Sequence, residues 1–459
     1  MSPPRDLVDK DALIATLMSR IEVLIGQSAT VVAENARLKA LIAELEAKIG
    51  RPRKGPDNSS VPPSQGQKPS GSGQSKRKAK PHAGAHRPLH PNPTSKRDVF
   101  ASACHCGADV SAVSQTAREA YDCVEIPRIE PDVMRVTLHG GVCPCCAKPF
   151  KAPAPEGLEP GSPFGPNLRA LVFYLRYVQC IPLARLTGVL FDMLGLQISQ
   201  GALVNILKAG QAAFSAQADR FKADIRCGSV IASDETGMRV GKANRWLWVF
   251  HHGPTAIFMG AQSRSKAVVE AFLGDWRPNF WISDRYGGQM GWAAKEHQFC
   301  LAHLLRDVQY AIDGGDTVLA PRLRDLLIEA CAIGRRRDGL SDRTLRAYEA
   351  KLDRRLDKLM ALAPTAPSGQ RLRKIFKKIR ANLFVFVINR EVSPTNNGSE
   401  RAVRPCAIYR KVTNGFRAEW AATLYADTRS AVETGRRRAV RAIDAIRITL
   451  RGETLPRYA

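Results

Sequence analysis

Apolar positions follow three different rhythms along the chain. From residue 14 a seven-residue repeat puts Ile14, Ile21, Ser28, Asn35, Ile42 and Ile49 in one register and Leu17, Leu24, Val31, Leu38 and Leu45 three places on. The pattern predicts a coiled coil over residues 10–50. Ile in the first register with Leu in the fourth favours two parallel strands, and a buried Asn35 fixes their alignment at some cost in stability. The alternative is one amphipathic helix packed on its own domain. Periodicity then vanishes across residues 51–97, where Pro, Ser, Gly and Lys/Arg dominate and Asp57 is the only acid. Such a segment buries too little apolar surface to offset chain entropy and reads as a disordered basic linker, either an arm for a polyanion or a solvated tether.

The helical rhythm returns over residues 163–226. Leu168, Leu171, Val172, Leu175 and Val178 recur at helical spacing, and a second run spans Leu203 to Phe214. Between them, Leu183 to Gly201 has the periodicity of a helix-turn-helix, although a packing domain leading into the core is the safer interpretation. From Ser229 the period drops to two, predicting strands over Ser229–Val240, Arg245–His252 and Thr255–Ala261. A helix over Ser265–Leu273, a strand from Phe280 ending at Asp284, and a helix beyond Phe299 follow. Three meandering strands, a helix and a further strand form the order of a ribonuclease-H-like core, with a first part over residues 227–311. Residues 312–390, rich in Leu, Ala, Lys and Arg, predict an inserted helical subdomain. Residues 391–451 complete the core with two helices, the first basic and opened by Glu400. The fold class expected is therefore multidomain α/β.

Charge and cysteine usage narrow the partners. The 459 residues carry a formal net charge of +26, which fits a polyanion because neutralised phosphates release counterions. Residues 98–152 hold six of the 11 cysteines, and Cys104, Cys106, Cys143 and Cys146 suggest a zinc ribbon stapling a segment with no core of its own. The Cys104–Cys106 spacing is compressed, so Cys123 or His105 is an alternative ligand. No stretch approaches 18 uninterrupted apolar residues, and acids interrupt the first 30. The expectation is a cytoplasmic chain with no membrane span.

Three acids then stand out: Asp234 and Asp284, read as strand ends, and Glu400 on a distant helix. Two carboxylates at strand ends and a third on a helix suit a pair of divalent cations, and Mg²⁺ prefers carboxylates, water and phosphate. Glu235 points to the opposite face of a regular strand and reads as structural. Arg335, Arg336, Arg337, Lys374, Lys377 and Lys378 in the insert read as polyanion contacts or as solvated helix faces.

Asp234-Glu235-Thr236, Trp246-Leu247-Trp248-Val249, Cys300-Leu301-Ala302-His303, the run from Asn396 to Pro405, and Tyr409-Arg410-Lys411 together resemble the insertion-sequence-66 transposase family. The resemblance runs from the coiled coil to about Arg436. It implies a DDE catalytic triad of Asp234, Asp284 and Glu400 using Mg²⁺ (or Mn²⁺) to cleave and join DNA strands. It further implies structural Zn²⁺, binding to double-stranded DNA at element ends and target, and a homodimer or higher synaptic oligomer. Arg401, Arg404, Arg410 and Lys411 become candidate DNA contacts or a solvated helix face, and His303 either a contact to the scissile strand or a brace of the fold. Asn396 and Asn397 read as turn and N-cap. Arg285-Tyr286 after Asp284 departs from the family, which has a glycine before the tyrosine. Rival functions are an inactive zinc-ribbon DNA-binding protein and a ribonuclease-H-like nuclease or resolvase.

Overall fold

A computed structural model of the chain describes residues 5–49, 52, 54–55, 57–59, 87–155, 158 and 160–457. Most of the predicted basic linker lies outside the described residues. The described residues divide into two units, one within Met1–Gln67, Phe164–Pro182 and Asn205–Ala459, the other within Lys68–Pro163 and Leu183–Val204.

The second unit carries six of the 11 cysteines. Strands β1 (Gly140–Val142) and β2 (Pro149–Lys151) pair antiparallel around a turn containing Cys143, Cys145 and Cys146. Cys143 N donates to Lys148 O (2.9 Å) and Ala147 N to Cys143 O (2.9 Å), with Ala147 left-handed at φ 53°. Cys104 heads a similar tight turn, closed by Gly107 N to Cys104 O (2.9 Å), and Gly107 supplies the positive φ of 88° that this turn requires. The strand-like sequence between the two turns forms no ladder over residues 114–139. Its apolar residues, Tyr121, Val124, Ile126 and Val133 among them, remain exposed, because an extended segment without a neighbouring strand has nothing to pack on.

In the first unit Arg5–Ile49 is a single 45-residue helix. The heptad side chains described, from Ile14 to Ile42, are all exposed in one chain. Its Ala12–Ile42 stretch is also long and apolar enough, by length and composition alone, to cross a membrane. Arg20, Glu22, Glu34, Arg37 and Lys39 lie within that stretch.

The centre of this unit is a five-stranded sheet of β3 (Val230–Val240), β4 (Ala243–His252), β5 (Thr255–Ala261), β6 (Phe280–Ser283) and β7 (Glu296–Phe299), in the order β5-β4-β3-β6-β7. The first three form an antiparallel meander through two-residue turns at Gly241-Lys242 and Gly253-Pro254, whose glycines take φ of 57° and 48°. On the other side of β3, β6 runs parallel to it and β7 parallel to β6. The sheet is buried on both faces. Ile231, Trp248, Phe250 and Trp281 pack on the Lys266–Leu273 helix, with the Phe250 and Phe272 rings stacked at 4.0 Å. Val230, Ala232 and Ile282 face Leu301, Leu304 and Val308 and, beyond them, the helices Leu319–Arg336, Asp342–Met360 and Pro367–Ile379. Edge strand β5 is covered by the Glu419–Arg437 helix. Ser430 Oγ accepts from Phe258 N (2.8 Å) and Thr434 Oγ1 from Ala256 N (3.1 Å), satisfying edge donors that would otherwise recruit another strand.

Within the helical insert Arg337 is buried and donates to the carbonyls of Phe386, Arg390 and Val392. It closes the insert's return segment and is not the solvent-facing cation expected from sequence. Phe250→Ala should lower unfolding free energy by about 3–5 kcal/mol, as for other buried aromatic truncations, read as a shift in denaturant midpoint. A loss below about 1 kcal/mol would contradict this account of the core.

Candidate active site

Sheet register brings the first two acids together. Val230 pairs with Phe280 and Ala232 with Ile282, an offset of 50. Asp234 and Asp284 share that offset (284 − 234 = 50), so continuing the ladder sets them at one level. Between β6 and β7, Ser283 pairs with Phe299, an offset of 16 (299 − 283), which puts Cys300 on the level of Asp284. Cys300 N donates to Ser283 O (2.9 Å), carrying the ladder that one step further. Asp234 itself does not end a strand, since β3 runs on to Val240; the strand that stops beside it is β6. The sequence pattern blurred the two because β3 loses a neighbour there without losing its own pairing to β4.

Alternation along β3 puts Asp234 on the face of Val230 and Ala232, toward the helical insert, and Glu235 on the other. Glu235 is buried there between Arg264 and Gln289, and Gln289 Oε1 accepts from Ser233 Oγ (2.5 Å). Burial raises the Glu235 carboxyl despite the Arg264 guanidinium. Its structural role agrees with the sequence reading.

Glu400 arrives from the far end of the insert, in the first turn of the Asn397–Thr413 helix. That arrival is fixed by hydrogen bonds of the preceding segment. Leu301 N donates to Pro394 O (3.0 Å), Asn396 N to Cys300 Sγ (3.1 Å), and Asn396 Nδ2 to Ser233 O (2.7 Å), the residue before Asp234. Asn396 Oδ1 accepts from Ser399 Oγ (2.6 Å), and Ser399 Oγ also meets His251 Nε2 at 3.0 Å. Asn396 sits at the N-cap position, but its side chain ties the helix to β3 instead of capping the first turn.

Electrostatics link the acids. Burial, then the charges of Glu235, Asp284 and Glu400, hold the Asp234 carboxyl well above the usual carboxylate range, while the Glu235 N–H works the other way. Asp284 Oδ1 accepts from Tyr286 N (2.8 Å), which orients the carboxylate. Glu400 Oε1 lies 3.2 Å from Arg306 Nη2 and 3.4 Å from His303 Nδ1. Burial and Arg306 depress the His303 imidazole against the opposing pull of Glu400, Asp284 and Asp307. Arg285, in the segment that departs from the family pattern, pairs with Asp307, and Tyr286 OH donates to Arg264 O. These contacts give the Asp284 loop its own bracing.

The remaining candidates separate. Arg401, Arg404 and Lys411 are exposed on the Asn397–Thr413 helix. Arg410 instead donates to Gly237 O and braces β3 against the helix. The His303 ring is mostly buried against Glu400 rather than presented to solvent. Among the cysteines, Cys106 associates with Cys104 and Cys143 with Cys146. The Ala108 N–H foremost lowers the Cys106 thiol, and the Cys146 and Cys145 N–H groups lower Cys143. The one group of three donor atoms within 4.8 Å among the described residues is elsewhere, at Cys300, His303 and Glu400. The sequence reading missed Arg306 as a partner of Glu400. Its spacing of three from His303 on one helix was the available signal.

A family model described as "Transposase IS66 family" matches residues 161–424, which include all five strands of the large sheet, the insert and Glu400. No curated protein matches the chain.

Two outcomes follow from this geometry. Asn396→Ala leaves the buried Ser233 carbonyl unpaired and should cost about 1–3 kcal/mol, measured by chemical denaturation. An unchanged midpoint would deny it the tethering role. Asp234 binds its proton more tightly folded than unfolded, so its contribution to stability is lost as pH rises from about 3.9 through the raised folded value. Metal-free Asp234→Asn should therefore gain melting temperature over the parent as pH goes from 4 to 7. A gap that narrows with rising pH would refute the shift.

Proposed function

The chain belongs to the IS66 transposase family, and on that premise we propose that it is a DDE transposase whose Asp234, Asp284 and Glu400 hold divalent cations for DNA strand cleavage and strand transfer. The observation that carries the reading is the shared register level of Asp234 and Asp284 on the face to which Asn396 ties the Glu400 helix. The strand order supports a ribonuclease-H-like core completed from beyond the helical insert.

The residues fit the cation. Asp234 is held against ionisation by burial and by three neighbouring carboxylates, a strain that a divalent ion relieves, and the donor set is all carboxylate oxygen. When bound, Mg²⁺ or Mn²⁺ supplies Lewis-acid activation and charge neutralisation at the attacking and leaving oxygens. Asp234 and Asp284 orient these charges from a rigid sheet, water and then a 3′-hydroxyl being the nucleophiles. Arg306 positions Glu400. Positioning from packed strands is what an in-line displacement requires of the protein.

The other parts of the reading are support elements. Arg401, Arg404 and Lys411 flank Glu400 and suit the phosphates of element ends or target DNA. The exposed Ile/Leu heptads of the Arg5–Ile49 helix suit a parallel partner helix, hence a dimer or a larger synaptic assembly, and the charges within Ala12–Ile42 favour that over a membrane span. Cys104, Cys106, Cys143 and Cys146 would hold Zn²⁺, and the N–H-supported thiols of Cys106 and Cys143 are the chemistry such a site needs. Localisation would be cytoplasmic, at the nucleoid.

Asp284→Asn should reduce Mg²⁺-dependent nicking of labelled element-end DNA to the metal-free background while leaving retardation of the same DNA in gels within a few-fold. Undiminished nicking would remove Asp284 from the triad. Nicks without joined products would favour the nuclease reading.

A further inference from the structure

The Cys300, His303 and Glu400 group uses a different chemistry from the aspartate pair. Cys300 Sγ, a ring nitrogen of His303 and a carboxylate oxygen of Glu400 lie within 4.8 Å of one another. Thiolate, imidazole and carboxylate are the ligand types that bind zinc at about 2.0–2.3 Å, and three protein ligands with one open position form a recurrent zinc arrangement. Hard Mg²⁺ has little use for the sulfur.

The local contacts favour an ion over a simple hydrogen-bonded cluster. His303 Nδ1 is buried with no hydrogen-bond partner, although Glu400 Oε1 is only 3.4 Å away. The two atoms do not meet hydrogen-bond geometry, so Nδ1 is left for another partner. Cys300 Sγ accepts from the Asn396 N–H at the start of the Leu301–Asp313 helix, and because burial pushes its thiol up to about 11, an ion bound there must displace the thiol proton. Two of the three ligands are fixed by backbone: Cys300 extends the β6–β7 ladder, and His303 lies three residues on along the helix.

We propose that Cys300, His303 and Glu400 bind a borderline transition-metal ion of the Zn²⁺ class, and that this ion sequesters Glu400 from the aspartate pair. Binding releases the Cys300 thiol proton to solvent and leaves sulfur, nitrogen and oxygen on the ion. Arg306 already holds Glu400 Oε1 at 3.2 Å, so the ion competes with a guanidinium for that carboxylate and binds reversibly. An ion on Cys300 and His303 draws Glu400 toward them and away from the aspartate pair, which makes the soft-metal site an off switch. Sequestration rests on the triad assignment above, whereas metal binding itself does not.

The test is a Co²⁺ titration of the full chain, stripped of metal and free of DNA, read by visible absorption and by bound equivalents. Cys300→Ser and His303→Ala should each bind one equivalent fewer than the parent, and Cys300→Ser should also lose a single-thiolate charge-transfer band. Cys143→Ser paired with Cys146→Ser should keep that band and lose only absorption from the separate cysteine site. Zn²⁺ should displace the Co²⁺. Parent-like stoichiometry and spectrum in both Cys300→Ser and His303→Ala overturn the inference. If Cys300→Ser fails to give a native circular-dichroism spectrum, His303→Ala and Glu400→Gln decide by the same count. A chain that nicks DNA with Mg²⁺ but lacks the extra Co²⁺ equivalent refutes this inference alone; one that binds it but never nicks refutes the transposase reading alone.

Discussion

The side-chain amide of Asn396, donating to the carbonyl of Ser233, is the contact on which the geometry of the acids depends. β3 and β6 bring Asp234 and Asp284 level through main-chain pairing alone, whatever the rest of the chain does. Glu400 has no such guarantee. It lies 116 residues beyond Asp284 (400 − 284), and the ties from Asn396 to Ser233 and Cys300, seconded by Leu301 to Pro394 and Ser399 to His251, fix where its helix starts. A buried neutral hydrogen bond contributes modestly to stability, but leaving either partner unpaired costs more. The contact is therefore better understood as an alignment device than as a source of stability.

Much of this was legible from residue patterns. The meander, the helix after it and the strand before Asp284 follow the alternation of Val, Ile, Trp and Phe, and their ends agree with the structure to within about two residues. Strand β7 was not legible. Its Glu-His-Gln-Phe has no apolar alternation, yet His297 and Gln298 are buried because Ser283 Oγ meets the His297 ring (3.0 Å) and Gln298 serves the Leu383 carbonyl (3.0 Å) and the Phe386 N–H (3.1 Å). Those partners sit up to 88 residues away (386 − 298), and no local pattern encodes them. The same applies to Arg337 and Arg410, which look like surface cations in sequence and are spent on backbone carbonyls in the fold.

The two faces of β3 divide stability and chemistry between neighbours in sequence. Glu235 and Asp234 are adjacent acids, both with carboxyls raised by burial. Glu235 is matched by Arg264 and Gln289, so its burial is satisfied within the protein. Asp234 meets chiefly other carboxylates, an unfavourable charge that the proposed cations would relieve. A one-residue slip of β3 would exchange the two and bury the wrong acid on each side.

The insert leaves the sheet at Cys300 and returns at Asn396, and those two residues are bonded to each other. The roughly 90 residues between them thus form a closed loop whose ends meet irrespective of contour length. Closure entropy grows only with the logarithm of that length, each doubling costing about 0.6 kcal/mol. Lineages could accordingly trim, enlarge or exchange its part beyond Asp313, outside the helix that carries Arg306, while Glu400 stays where it is, so that part is the natural place for variation in size among related chains and for grafting a foreign domain.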